Sequence, residues 1–256
     1  MSRIIVTGAG GQLGQSIQKI AIRYGELFFD FKGSREMDIT EEEQVRKVFK
    51  KGKYDYCINC AAFTNVEIAE SNPKKAFSVN AEGVLNLAKS CSQNNVVLIH
   101  VSTDYVFDGN QEDPYTVHDK PNPINNYGAS KLKGEEYLKK ILENYFIVRT
   151  SWLYSEFGKN FYRTILHKAE TNKILKVTDD QKGCPTNATN LAEYLIELIS
   201  SKSTSFGVHH FTDGKAMTWY DFAKEILLEN GIRDTTVLRD NNYGSFVRRP
   251  KNSVLF

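Results

Sequence analysis

Thr7-Gly8-Ala9-Gly10-Gly11-Gln12-Leu13-Gly14 stands between an apolar run, Arg3–Thr7, and a segment with helical spacing through Leu13, Ile17, Ile20 and Ala21. Strand, glycine turn and helix in that order constrain the fold more than any other feature of the chain. Gly8, Gly11 and Gly14 give G-x-x-G-x-x-G, and Gly8 and Gly10 begin G-x-G. Such glycines permit a tight turn, close approach of the backbone to a pyrophosphate, and close packing of helix on strand. Gly8, Gly10, Gly11, Gln12, Leu13 and Gly14 are therefore the first candidate contacts for a dinucleotide.

The pattern continues in kind. Leu27–Phe31 is a second apolar run, and Thr40-Glu41-Glu42-Glu43 reads as a capping box that opens a helix carrying Val45, Val48 and Phe49. Tyr56–Cys60 predicts a third strand, and a helical segment from Pro73 runs through Val79, Val84, Leu87 and Ala88. Val96–Val101 is continuously apolar apart from His100, as a strand covered on both faces should be, with His100 a core residue needing a partner. Tyr127–Leu142 is helical and Phe146–Val148 is a fifth strand. Strands alternating with helices predict an α/β fold, a Rossmann-type doubly wound parallel sheet, over residues 1–150. Residues 151–256 predict a smaller substrate-binding lobe interleaved with the sheet edge. Its helices are expected at Asn160–Ala169, Asn190–Ile199 and Thr218–Glu229, and its strands at Leu175–Thr178 and His209–Thr212.

Asp30 is read as closing the second strand, 22 residues after Gly8, where an acid would accept hydrogen bonds from an adenosine ribose and favour NADH. Lys32 and Arg35 follow closely and would instead suit the 2′-phosphate of NADPH, so both cofactors stay open. Asp38 and Ile39 come next, as contacts for the adenine end.

Tyr127 and Lys131 are four residues apart and share a helix face. A nearby ammonium should lower the pKa of the phenol toward the range of efficient proton exchange. Thr103, at the carboxyl end of the fourth strand, lies where open α/β sheets bind ligands. Its hydroxyl could hold a carbonyl oxygen beside Tyr127 while a hydride reaches the carbon. Rival chemistry finds no motif: the chain has no G-x-S-x-G elbow, H-E-x-x-H or P-loop.

A net charge of +2 implies neither nucleic acid nor an anionic membrane as partner. Arg248, Arg249 and Lys251 concentrate some of the surplus, as a solvated tail or an anion contact. With no apolar stretch of membrane-spanning length and no signal segment, the expected location is cytoplasmic. Cys57 and Cys60 sit three apart on a strand and point to opposite faces, which argues against redox or zinc chemistry.

Blocks across the chain resemble one family, the dTDP-4-dehydrorhamnose reductase family of extended short-chain dehydrogenases/reductases. They include Thr7–Gly14, Asn59–Glu67, Val101–Gly109, Pro121–Pro123, Tyr127–Lys131, Arg149–Tyr154, Gly158–Phe161, Asp180–Thr186, Trp219–Ala223 and Arg249–Ser253. The resemblance implies NADPH- or NADH-dependent reduction of the C4 ketone of dTDP-4-dehydro-β-L-rhamnose to dTDP-L-rhamnose. It implies Tyr127 as proton donor, Lys131 holding the nicotinamide ribose, and Thr103 orienting the ketone. Ala62, Phe63 and Thr64 should line the cofactor; Asp104, Trp152, Asn160 and Gln181 should meet the nucleotide-sugar. Relatives usually continue beyond the position of Phe256, and some are held as dimers by magnesium on early glutamates. Here that region reads Gln15-Ser16, so a monomer without a metal site is expected. Two alternatives stay open: a reductase giving the other C4 epimer, as in a 6-deoxytalose donor, and a non-catalytic NADP-binding subunit like the β subunit of methionine adenosyltransferase.

Overall fold

A computed structural model describes residues 2–240, 244 and 246–256. The strands and helices of the first part follow the predicted alternation: β1 (Ser2–Thr7), α1 (Gln12–Ala21), β2 (Leu27–Lys32), α2 (Glu42–Gly52) and β3 (Tyr56–Asn59). Next come α3 (Val66–Ser71), α4 (Pro73–Phe77), α5 (Gly83–Asn94), β4 (Val97–Thr103), α6 (Asn126–Ile141) and β5 (Tyr145–Thr150). The second part holds β6 (Leu153–Tyr154), α7 (Phe161–Thr171), β7 (Ile174–Val177), β8 (Lys182–Gly183) and β9 (Thr186–Asn187). It ends with α8 (Ala188–Ser200), β10 (Gly207–His210), β11 (Met217–Thr218), α9 (Trp219–Glu229) and β12 (Thr236–Arg239).

Among the described residues, six strands form a parallel sheet in the order β10-β5-β4-β3-β1-β2. The order reverses between β1 and β3, and ligands of doubly wound sheets bind outside the carboxyl ends of the strands at such a switch point. Strand alternation divides the core in two. Ile4, Val6, Ile58, Ile99 and Val148 face α1 and α8. Ile5, Cys57, Leu98 and Ile147 face α2, α5 and α6. A third cluster, including Ile165, Leu175, Phe222, Ile226 and Val237, joins α7, α9, β7 and β12 beside the sheet's carboxyl edge. The second part returns to the sheet through β10, which pairs with β5, and α8, which packs on α1. No helix among the described residues is long and apolar enough to cross a membrane.

Two local expectations fail for identifiable reasons, and a third, the helical run from Pro73, is met with an irregular turn. The capping box does not form, because both the N–H and the hydroxyl of Thr40 donate to Asp38 Oδ1, at 2.9 and 2.8 Å. The helix therefore starts one residue later, capped by Glu41 without a side-chain bond. The helical run from Pro73 contains a π-helical turn, Ser78–Glu82, which turns Asn80 inward. Asp30 does not close β2, which runs on to Lys32. Its register partner is Ile5, so it faces the α2 side, where the Tyr54 hydroxyl donates to it and Lys32 pairs with it at 2.8 Å.

Candidate active site

The glycine loop begins where β1 ends. Gly8 has φ +64°, and a Cβ there would lie 2.5 Å from the Ala61 nitrogen, so the loop can pass over β3 only without a side chain. At Gly14 a Cβ would meet Gly8 O and Ala9 Cα at 2.6 Å, which makes it a packing glycine. Gly10 has open space in front of it. Gly8, Gly10 and Gly11 line one cleft with Gly33, Arg35, Asp38, Ile39 and Ala62. An adjoining cavity of about 470 Å³ shares Gly10, Gly11, Cys60 and Ala62 with it. That cavity adds Gln12, Leu13, Thr64, Thr103, Asp104, Tyr127, Lys131 and Trp152.

Two close approaches bring the reactive side chains together. Asn125 caps α6 by accepting from the Gly128 N–H at 2.8 Å. A Cβ on Gly128 would stand 2.0 Å from the Tyr105 carbonyl oxygen, so only glycine lets the start of α6 press against the turn after β4. Tyr127 thereby comes beside Thr103 in the cavity and packs edge-on against Tyr105. Thr103 also donates to Asp104 Oδ1 at 3.0 Å and accepts from the Tyr105 N–H at 3.2 Å.

The electrostatics differ from the simple reading of a tyrosine one turn from a lysine. Lys131 is 2% exposed and donates to the Val101 carbonyl at 2.7 Å, directed into the sheet. Desolvation pushes the Tyr127 phenol up to about 12, with Thr103 opposing and the charge of Asp104 adding. Desolvation also brings Lys131 down to about 8, against the pull of Glu135 and Cys60. Asp104 rises to about 7 because burial outweighs its bonds from Ser253 and Thr103. The expected lowering of the phenol by the ammonium is thus corrected: burial dominates and keeps the proton on Tyr127 across the neutral range.

Other predicted residues are placed differently. Asp30 stands away from the cleft, as described. Phe63 contributes backbone: its N–H and C=O are bound by the Asn80 amide at 2.8 and 2.9 Å, while its ring lies under Lys75. Asn160 caps α7 and donates to Gln12 Oε1 at 2.8 Å, tying the start of the lobe to the glycine loop. Gln181 lines a neighbouring groove of about 610 Å³ with Tyr105, Phe161, Trp219 and Arg249. Trp152 adopts φ +47° and stacks on Trp219 at 3.5 Å, the pair forming a wall between cavity and groove. Gly183 makes room for it, since a Cβ there would lie 2.6 Å from the Trp152 ring. Sequence reasoning missed Trp219 and Asn80; only the tryptophan's place in a segment that resembles the family, Trp219–Ala223, hinted at either.

Fold and side-chain set together define a short-chain dehydrogenase/reductase, with a glycine cradle at the switch point and a Thr-Tyr-Lys set beside it. Residues 2–256 match the family model described as the RmlD substrate binding domain, and the chain belongs to that family. It is 38% identical to the dTDP-4-dehydrorhamnose reductase of Aggregatibacter actinomycetemcomitans, over all of this chain and 90% of that protein. The solved dTDP-4-dehydrorhamnose reductase of Clostridium acetobutylicum superposes with a TM-score of 0.94 at 38% identity, covering 99% of this chain and 90% of that one. The enzyme of the same name from Bacillus anthracis, solved in complex with NADP, gives 0.96 at 35% identity, covering 100% and 90%.

Proposed function

We propose that the chain reduces the C4 ketone of dTDP-4-dehydro-β-L-rhamnose to dTDP-L-rhamnose with NADPH or NADH. The observation that carries this reading is the convergence of Thr103, Tyr127 and Lys131 in one cavity that opens onto the glycine cradle. The substrate itself comes from the relatives, which bear that reductase name at full length. Purified protein mixed with this ketosugar should consume the nicotinamide absorbance of NADPH or NADH. Absence of oxidation with both would sink the assignment, and NMR of the product would give its C4 configuration.

The residues present fit a dinucleotide: the space before Gly10 and the tight crossing at Gly8 suit a pyrophosphate, and Asp38 and Ile39, which line the same cleft, would meet the adenine end. When bound, the nicotinamide supplies the hydride. The chain's own part is the proton. Thr103 and Tyr127 present two hydroxyls to a carbonyl oxygen. As negative charge builds on that oxygen it becomes a stronger base than the phenolate, and Tyr127 gives up the proton that burial had held on it. Trp152 and Trp219 offer a rigid apolar wall to the sugar, and Gln12, through Asn160, holds the lobe against the cofactor loop.

We infer further that NADPH is the preferred donor. Asp30, the acid that would favour NADH, is engaged by Tyr54 and Lys32 away from the cleft, whereas exposed Arg35 lines it. A hydrogen bond to a charged group contributes about 1.5–3 kcal/mol. Arg35→Ala should therefore raise KM for NADPH roughly tenfold or more and change KM for NADH by less than about twofold. Equal changes for the two cofactors would show that Arg35 does not read the 2′-phosphate.

A further inference from the structure

Three polar side chains occupy matching positions across the middle of the sheet. Thr7 pairs with Asn59, and Asn59 with His100, on β1, β3 and β4. Ile5, Cys57 and Leu98, two residues earlier on each strand, all lie in the core under α2, α5 and α6, so the polar row faces α6 and Lys131. All three side chains are at most 1% exposed. None takes part in the chemistry described above.

Hydrogen-bond accounting fixes the proton in this row. Asn59 Oδ1 accepts from the Ala61 backbone N–H at 3.1 Å and from the Thr7 hydroxyl at 2.6 Å. A backbone N–H can only donate, so the amide oxygen must stay there and Asn59 Nδ2 must face His100. That nitrogen also only donates, so His100 Nδ1, 2.9 Å away, accepts. Burial, aided by the charge of Lys131, holds the imidazole neutral by driving its pKa well below the ordinary histidine value. A neutral ring carries one N–H, which must then be on Nε2. Nε2 lies 3.3 Å from Lys131 Nζ.

The two charge states of Lys131 meet this N–H differently. An amine can accept it while donating to the Val101 carbonyl. An ammonium has no lone pair and meets the N–H head-on. We propose that His100 is a positioning residue that sets the charge of Lys131: Asn59 locks its tautomer, and the Nε2–H favours the lysine's amine over its ammonium. Glu135, one turn along α6, and the Cys60 thiol beside β3 act in the opposite sense. Tyr127, one turn back on α6, keeps its proton and brings no charge of its own. The histidine thus adds to the burial that brings the lysine's titration into the working range, and the ammonium, which the resemblance places on the nicotinamide ribose, is lost as pH rises through it.

The effect on turnover rests on the function proposed above; the tautomer and the lysine charge do not, and can be read without substrate. Nitrogen-15 NMR of the whole protein labelled at histidine should show His100 protonated at Nε2 and bare at Nδ1. The Nδ1–H tautomer would overturn the proposal. His100→Gln keeps the net charge and can turn a carbonyl oxygen toward Lys131. In that variant the Lys131 titration, followed by its ¹³Cε shift, should move up by about one pH unit, the worth of one hydrogen bond. The alkaline limb of kcat should move with it. An unchanged Lys131 midpoint would refute the role of His100, whereas a shifted midpoint in a protein that reduces no ketosugar would refute only the assigned reaction.

Discussion

Tyr127→Phe should lower kcat by about 10²–10⁴-fold, the usual contribution of a positioned general acid, while leaving NADPH binding nearly intact. The substitution removes one oxygen. The ring keeps its edge contact with Tyr105, and α6 keeps its cap at Asn125 and its close approach at Gly128. Thr103 would still present a hydroxyl to the ketone, but a threonine hydroxyl is too weak an acid to release a proton on the timescale of turnover. The cofactor cleft is lined mainly by residues of the glycine loop and the segment after β2, far along the chain from Tyr127. A thermal-shift titration with NADPH should therefore give stabilisation like that of the unaltered protein, since ligand binding to the native state raises its stability. A variant that still turns over at more than about a tenth of the normal rate would remove Tyr127 from the role of acid. A variant that loses both turnover and the cofactor-induced shift would point to damage at the loop.

What could be read from the chain in advance follows the range of the interactions. The glycine loop, the spacing of Tyr127 and Lys131, and Thr103 at a strand end are local patterns, and the cavity unites them as expected. Asp30 misled because its side depends on where β2 stops, and two further residues of strand moved it down the sheet to Tyr54. The Thr40 capping box lost to a competitor only two residues away, Asp38, whose carboxylate takes the same hydroxyl. The direction of the Lys131 ammonium was not legible either: i,i+4 spacing shares a face with Tyr127, but the buried carbonyl of Val101 claims the donor. The partners that hold the site are distant in sequence. Trp219 stacks on Trp152, and Asn80 clamps Phe63 from a π turn that propensity does not announce.

Glu135 and Arg149 belong to this last group, and Arg149→Met should lower stability by about 3–5 kcal/mol at neutral pH, measured by urea unfolding. The pair is bidentate, at 3.0 and 2.7 Å, and both side chains are 2% exposed or less. Burial alone would raise the pKa of Glu135, but the bonds and charge of Arg149, the Ser102 hydroxyl and Lys139 outweigh it and hold the carboxyl below its usual range. Its folded value is depressed, so its stabilising contribution is present above the unfolded value and is lost as pH falls through the folded one. Without the guanidinium, burial wins and the folded value rises above the unfolded one. The variant is then relieved as Glu135 protonates on mild acidification, where the unaltered protein still keeps its pair. The stability gap should narrow between pH 7 and about pH 5. A gap independent of pH, or a loss below about 1 kcal/mol, would count against a buried charge as the cause. Adding Glu135→Leu to Arg149→Met should recover much of the loss, because a buried carboxylate left with only the Ser102 hydroxyl and Lys139 at 3.6 Å is what destabilises. It should not recover activity. Ser102 donates to Glu135 at 2.6 Å and directly precedes Thr103, and Glu135 lies one turn beyond Lys131. Glu135 therefore ties α6 to the end of β4 through Ser102 and to β5 through Arg149, and stability regained without it would leave Thr103 and Tyr127 free to drift apart.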